Sequence, residues 1–330
     1  MNKKCYTIAI GMILLFIGMS IIPSTAEVKE KSSLLSSDGT WWYVGGSGPG
    51  NYTRIQDAIN AASDGDTVFV YRGIYTKNNP YDQVIVNVNK RIRLIGEDKN
   101  TTILKGSGKY KVVIVSANGV VISGFTVQES GADVYPGSGI FIDDCRDIII
   151  DNNIFLENPN CALYCVSSNN CSFSHNIFRK NGFALYIASS VNCSVFSNLF
   201  ISNSNGIDFD FEFERLIDIY SNEFKDNEKG VTWSNSQGVA IRLNNFIGNK
   251  VQATFFNYGG LLDLGSLIGY KQNWSSNYWS NWKSTSPKPI RGKIELYIPV
   301  IPLVWIKIPL LSFDYDRTPV QEPYNISVYI

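Results

Sequence analysis

Between residues 140 and 250 apolar and polar positions alternate in short runs, and the runs themselves recur at a nearly constant interval. Asn-x-Phe stands at Asn153-Ile154-Phe155, Asn176-Ile177-Phe178, Asn198-Leu199-Phe200, Asn222-Glu223-Phe224 and Asn244-Asn245-Phe246, with intervals of 23, 22, 24 and 22 residues between phenylalanines. A period this short predicts a solenoid, because one such unit cannot bury its apolar face except against the next. Seven residues before each Phe lie Ile148, Cys171, Cys193, Ile217 and Val239, and five before lie Ile150, Phe173, Val195, Ile219 and Ile241. These are two inward columns of a strand, separated by polar outward positions. A second strand in each unit sets Ile140, Leu163, Leu185, Ile207 and Val231 in one column, with Ile142, Cys165, Ile187, Phe209 and Trp233 two places on. The predicted class is all-β, with short strands stacked about 4.8 Å apart. Asparagine tolerates positive φ, so the Asn column is expected to make the tight turn before each Phe. Its stacked amides are expected to hydrogen-bond from coil to coil.

The chain before residue 138 follows the pattern less strictly. Strands are expected at Thr67–Val70, Gln83–Val88, Arg91–Gly96, Val112–Val115 and Val120–Val127. Thr53-x-x-Gln56 reads as a capping box that opens a short helix through Ala62, with Gly65 beyond its end. That helix would plug the open end of the first coil. After Phe246 the period fails. Leu296 to Leu311 is apolar but interrupted by Pro299, Pro302, Lys307 and Pro309, too short and proline-rich to span a bilayer. It reads as part of an irregular C-terminal cap, with a partner-docking strand as the alternative. Trp274, Trp279 and Trp282 either cover the last coil or offer a ligand platform.

At the N-terminus Lys3 and Lys4 precede an apolar run from Ile8 to Ile22, and Pro23-Ser24-Thr25-Ala26 supplies small residues before Glu27. This is the grammar of a cleavable signal peptide. The expected organisation is a signal peptide over 1–26, a linker over 27–40, an N-terminal strand and capping helix over 41–66, β-helix coils over 67–260 and a capping segment over 261–330. Export to the cell surface follows, with no transmembrane span after cleavage.

Tyr52-Thr53-Arg54-Ile55-Gln56-Asp57-Ala58-Ile59, Gly65-Asp66-Thr67-Val68, Gly73-Ile74-Tyr75, Leu94-Ile95-Gly96 and the Asn-x-Phe coils resemble the pectin-lyase-like right-handed parallel β-helix proteins. More narrowly they resemble the archaeal surface branch named after NosD, a copper-associated periplasmic β-helix protein. Asn273-Trp274-Ser275-Ser276-Asn277-Tyr278-Trp279-Ser280-Asn281-Trp282, Phe313-Asp314-Tyr315 and Glu322-Pro323-Tyr324 resemble the closing segment of that branch. The resemblance covers residues 40 to 325. It implies three parallel sheets per coil, and it speaks to fold far more than to chemistry.

Chemistry is sparse. Without Lys3 and Lys4 the chain carries slightly more acidic than basic residues, so it has no basic excess for nucleic acid. Met1, Met12 and Met19 all fall within the signal peptide, and His175 is the single histidine. Copper handling therefore has few ligands. Asp208-Phe209-Asp210-Phe211-Glu212-Phe213-Glu214 alternates strictly, placing four carboxylates on one face of an extended segment. A solvated acidic loop beside Arg215 or Lys225 is one reading, and calcium held by Asp208, Asp210 and Glu212 is the other. Column alignment sets Asp208 after Phe141, Tyr164 and Tyr186 on the outward face. Aromatic rings beside carboxylates suit sugars, which makes Tyr164, Tyr186, Asp208 and Asp210 the candidate substrate-binding residues for a polysaccharide or cell-surface glycan. A plain cross-strand ring ladder is the competing reading. No catalytic residue is assigned. Asp143-Asp144 offers a carboxylate pair, but nothing matches the Gly-His-Gly and Arg-x-Lys signatures of β-helix polygalacturonases. His175 falls in a turn column with Asn152, Ser197 and Ser221. Five cysteines follow the signal peptide, of which Cys165, Cys171 and Cys193 occupy inward columns as small apolar residues. A Cys171–Cys193 disulfide is the alternative. The leading expectation is an exported glycan-binding or scaffolding β-helix. A divergent polysaccharide lyase or glycoside hydrolase, and a NosD-like copper-associated protein, are the alternatives.

Overall fold

A computed structural model of the chain describes residues 39–76, 84–132, 137–210, 216–263, 268–301 and 304–326. The expected signal peptide, Glu212 and Glu214 lie outside the described residues. The described strands form three sheets of ten, ten and nine strands, wound as a right-handed parallel β-helix. Sheet A runs from Trp41–Val44 to Asn273–Ser275, sheet B from Gly73–Tyr75 to Tyr278–Trp279, and sheet C from Val86–Val88 to Val304–Asp316. Each coil visits A, B and C in turn. One repeat, for example, comprises Ile149–Asp151, Ile154–Leu156 and Cys161–Val166.

The predicted columns stack in register. Ile150 pairs with Phe173, Phe173 with Val195, Val195 with Ile219 and Ile219 with Ile241. Phe155, Phe178, Phe200, Phe224 and Phe246 are wholly buried and stacked, with ring centroids 4.7, 4.8, 4.8 and 4.8 Å apart. That distance is the rung spacing of parallel strands, so in-register pairing by itself brings the rings into contact. Ile148, Cys171, Cys193, Ile217 and Val239 are likewise buried.

The turn before each Phe is present, but positive φ falls one residue earlier than expected. Asn152, His175, Ser197, Ser221 and Leu243 adopt φ of 54, 50, 53, 52 and 57°. The following Asn side chain then points inward. Asn153, Asn176, Asn198, Asn222, Asn244 and Asn277 are fully buried, and each of the first five donates from Nδ2 to the Oδ1 of the next at 3.2, 3.1, 3.0, 3.0 and 3.0 Å. An amide carries both donor and acceptor, so one residue type satisfies itself along the whole stack.

A second ladder, not read from the sequence, fills the corner between sheets B and C. There Asn158, Asn181, Asn203, Asn227 and Asn249 link at 3.1, 3.0, 3.0 and 2.8 Å. Each also stands after a positive-φ residue, namely Glu157, Lys180, Ser202, Asp226 and Gly248. Its signal was in plain sight, an Asn three residues after every Phe of the repeat.

At the N-terminus the helix Ile55–Ala61 buries Ile55, Ala58 and Ile59 against the first coil. The capping box does not form. Arg54 is the N-cap and makes no side-chain cap bond. Gln56 instead exchanges hydrogen bonds with the backbone of Asn87, tying the helix to sheet C. The run expected at Val120–Val127 is two strands, Val121–Ser123 and Thr126–Gln128, on different sheets with Gly124 at φ 84° between them.

After Phe246 the period resumes rather than ends. Trp274 pairs with Ile241 and Trp279 with Phe246, one coil on but 33 residues later. Both tryptophans are buried, so they cover the last coil. The capping segment contains a long antiparallel hairpin, Lys288–Ile301 with Val304–Asp316, that extends sheet C. Among the described residues no helix is long and apolar enough to cross a membrane.

Candidate binding face on sheet C

Register places the predicted outward column as read. Phe141 pairs with Tyr164, Tyr164 with Tyr186, Tyr186 with Asp208 and Asp208 with Thr232. Two residues on, Asp143, Val166, Ala188, Asp210 and Ser234 form the neighbouring column. The strand Asn205–Asp210 can offer two carboxylates outward because Ile207 and Phe209 take the inward positions and are fully buried.

The two tyrosines are not equivalent. Tyr164 is covered on one side by Phe141, at 5.5 Å, and on the other by Tyr186, at 4.8 Å and nearly parallel. Tyr186 stacks along the column on its Tyr164 side, its next rung carries Asp208, and Phe183 meets it edge-on at 6.0 Å. Lys111 Nζ lies 4.4 Å from the Phe141 ring centroid at the far end of the stack. The ring ladder is therefore real, and it ends at a carboxylate.

Asp208 is half-buried, and its pKa is pushed up to about 6. Loss of hydration is the main cause and the Asp210 charge adds to it, while Thr232, Lys229 and the Phe209 backbone act in the opposite direction. Asp210 Oδ1 accepts a hydrogen bond from Ser234 Oγ at 2.8 Å. The face thus sets a carboxyl that titrates near neutrality beside one held by a hydroxyl. Sequence reasoning missed Thr232, Ser234 and Lys229, although counting one repeat on from Asp208 and Asp210 finds the first two.

The other candidates lie elsewhere. Asp143 shares the column of Asp210 but three coils away, and Asp144 is a positive-φ corner residue. His175 sits at a corner next to sheet A, where its Nδ1 is 2.8 Å from Asp151 Oδ1. Cys145, Cys161, Cys165, Cys171 and Cys193 are all buried free thiols.

Residues 59–284 match the model of the family described as "Periplasmic copper-binding protein (NosD)". No curated protein matches the chain by sequence. Similar solved structures include a rhamnogalacturonan lyase, 12% identical over 82% of this chain and 79% of that one, with a TM-score of 0.46. The A-module of the mannuronan C-5 epimerase AlgE6 from Azotobacter vinelandii is 14% identical over 68% and 81%, TM-score 0.40. Pectin methylesterase PemA from Erwinia chrysanthemi is 12% identical over 66% and 78%, TM-score 0.31. Scores this low carry no argument about chemistry.

The family description names copper. Among the described residues no three or more His, Cys, Asp or Glu side chains form a group that could hold a metal. The single imidazole is engaged by Asp151, and the thiols are enclosed in the apolar core.

Proposed function

The chain belongs to the NosD family, and within that fold we propose that it works as an exported surface protein that binds a polysaccharide along the outer face of sheet C. The observation that carries this reading is the column Phe141, Tyr164, Tyr186, Asp208, in which a ring stack terminates on a half-buried carboxyl. Tyr186 is the ring that meets the apolar face of a sugar, and Tyr164 stacks behind it. Asp208 and Asp210 accept hydrogen bonds from the sugar hydroxyls. Rungs about 4.8 Å apart suit a linear chain that offers ring faces and hydroxyls in alternation. Export is supported by the Lys3 to Ala26 pattern and by the family description as periplasmic.

Affinity electrophoresis of the purified protein against a polysaccharide panel tests the reading. At least one polysaccharide should retard the wild type, and Tyr186→Ala should weaken that interaction by about tenfold. If the wild type is retarded by none, or Tyr186→Ala leaves every retained polysaccharide unchanged, the reading fails. Following new reducing ends and the absorbance of unsaturated products in the same incubations separates binding from a hydrolase or lyase activity.

A further inference from the structure

Three of the five described thiols converge on one corner of the core, where sheet C hands the chain to sheet A. Cys165 is the last inward residue of the strand Cys161–Val166. The chain then turns through Ser167 and Asn170, at φ 50 and 55°, and delivers Cys171 to the start of the next sheet A strand. Cys193 occupies the same place one coil later. Ser172 pairs with Ser194, and the Ser194 amide donates to the Cys171 carbonyl at 2.9 Å, so Cys171 and Cys193 stand in register. Their side chains share an inward column with Ile148 before and Ile217 after, and both are essentially unexposed, at 1 and 0%.

Cys165 Sγ lies 3.8 Å from Ser190 Oγ, and the three thiols influence one another's ionisation. Cys171 Sγ also reaches the Asn169 carbonyl at 3.6 Å, and Cys193 Sγ the Val191 carbonyl at 3.5 Å. Adjacent rungs of a parallel sheet are about 4.8 Å apart, inside the range of roughly 4.4 to 6.8 Å between Cα atoms that a disulfide bridges. Packing alone does not ask for sulfur here, since the same column takes Ile or Val in the other coils.

We propose that Cys171 and Cys193 are an oxidation site that closes to a disulfide stapling two consecutive coils when the chain meets a small-molecule disulfide, with Cys165 remaining a thiol beside it. The Cys193 thiolate attacks one sulfur of the reagent, forming a mixed disulfide and expelling one small thiolate, which takes up the proton that Cys193 lost. Cys171 then attacks Cys193 Sγ, the protein disulfide forms, and the second small thiol leaves with the proton from Cys171. Two protein thiols are oxidised and one reagent disulfide is reduced to two thiols. The staple closes a loop of one coil in the unfolded chain, which is how a disulfide stabilises. The inference is independent of glycan binding.

The test refolds the full chain from denaturant in a buffer of 2-mercaptoethanol and its disulfide, which removes access as an obstacle. The expected product has lost two hydrogens by intact mass and melts about 5 °C higher than the reduced protein. Trypsin cleavage after Arg179 and Lys180 should leave the peptides containing Cys171 and Cys193 joined until reduction. Cys165→Ala should oxidise like the wild type, whereas Cys171→Ala and Cys193→Ala, each checked as folded by its reduced melting transition, should not. Mass loss that survives in either of the last two variants, or a wild type recovered with every thiol free, overturns the proposal. If a variant does not fold, fragmentation of the joined peptide from the wild type and from Cys165→Ala, which separates Cys171 from Cys161 on the shared 147–179 peptide, decides the matter.

Discussion

The repeating coils and the C-terminal hairpin share sheet C, yet they are held together by different means. In the coils up to Ile247 the strands are three to six residues long, and each depends on its corners. The positive-φ residue turns the chain, the buried Asn behind it satisfies the backbone, and the next coil repeats the arrangement. The hairpin strands are 14 and 13 residues long and pair antiparallel, so backbone bonding along their length replaces the corner ladders. Its outer face leaves Leu311, Phe313 and Tyr315 at 55, 39 and 46% exposure, which among the described residues no coil does with three neighbouring residues.

The two regions meet at Asp316. The first Asn ladder ends when the backbone N and Nδ2 of Asn277 both donate to Asp316 Oδ2, at 3.1 and 3.0 Å, and Trp279 Nε1 donates to the same oxygen at 2.9 Å. An asparagine there would have to pass a donor on to nothing. A carboxylate accepts without donating, so it can close a chain of amides, and these three donors, with the Thr318 N–H on Oδ1 at 3.1 Å, offset the cost of full burial. The second ladder ends on Gln252, whose Oε1 accepts from Asn249 while its Nε2 turns to Ser280 Oγ. A solenoid core is thus self-propagating, and its end has to be built from different residue types.

Breaking the ladder in mid-stack should have the largest effect. Asn198→Ala removes the donor to the carbonyls of Phe173 and Phe196 and the acceptor for Asn176, all but Phe196 fully in the core, and should cost about 4 kcal/mol or more in chemical denaturation. A loss below about 1 kcal/mol would mean that water replaces the amide and that the coils do not rest on the ladder. Asp316→Ala removes the terminator and leaves Asn277 and Trp279 with unpaired donors. The expected loss is about 3 kcal/mol, and it should be smaller than at Asn198 because fewer groups are orphaned. Equal losses at the two sites would contradict the difference drawn between coil and cap.

The outer face of the coils responds in the opposite direction. Asp208 has a folded-state pKa of about 6 against an ordinary value of 3.8, so the folded protein holds this proton more tightly than the unfolded chain. The stabilising contribution is fully present below about pH 3.8 and is lost as the pH rises through 6. Asp208→Asn should therefore stabilise the protein by about 1 to 2 kcal/mol at pH 7, discounted for its partial exposure, and by nothing near pH 3.5. A stabilisation independent of pH would assign the effect to something other than ionisation. Millimolar calcium in the same scans tests the metal expectation for Asp208, Asp210 and Glu212. A calcium-dependent rise in Tm of the wild type that Asp208→Asn abolishes would assign the relief of repulsion to a bound cation.

Contacts between residues of equal phase were written in the sequence. A strict 22- to 24-residue period sets like positions on top of one another, so the Phe stack, the inward columns and the Tyr164, Tyr186, Asp208 column could be read by counting. The helix over the first coil was read from a different signal, the Thr53-x-x-Gln56 capping box and Gly65 beyond it, and it is present although the extended Arg54 is its N-cap and the box does not form. Contacts between different phases were decided only by the fold. Which polar residues turn inward depends on where the backbone takes positive φ, and Ser, His, Asn and Leu share that place in different coils with no common signal. The meeting of Cys165 with Cys171 and Cys193 and the arrival of Asp316 at the end of the Asn ladder both depend on how far each corner bends the chain. Periodicity fixes what repeats along the axis, whereas the bend within a coil is set by corner dihedrals and packing that no count of residues contains.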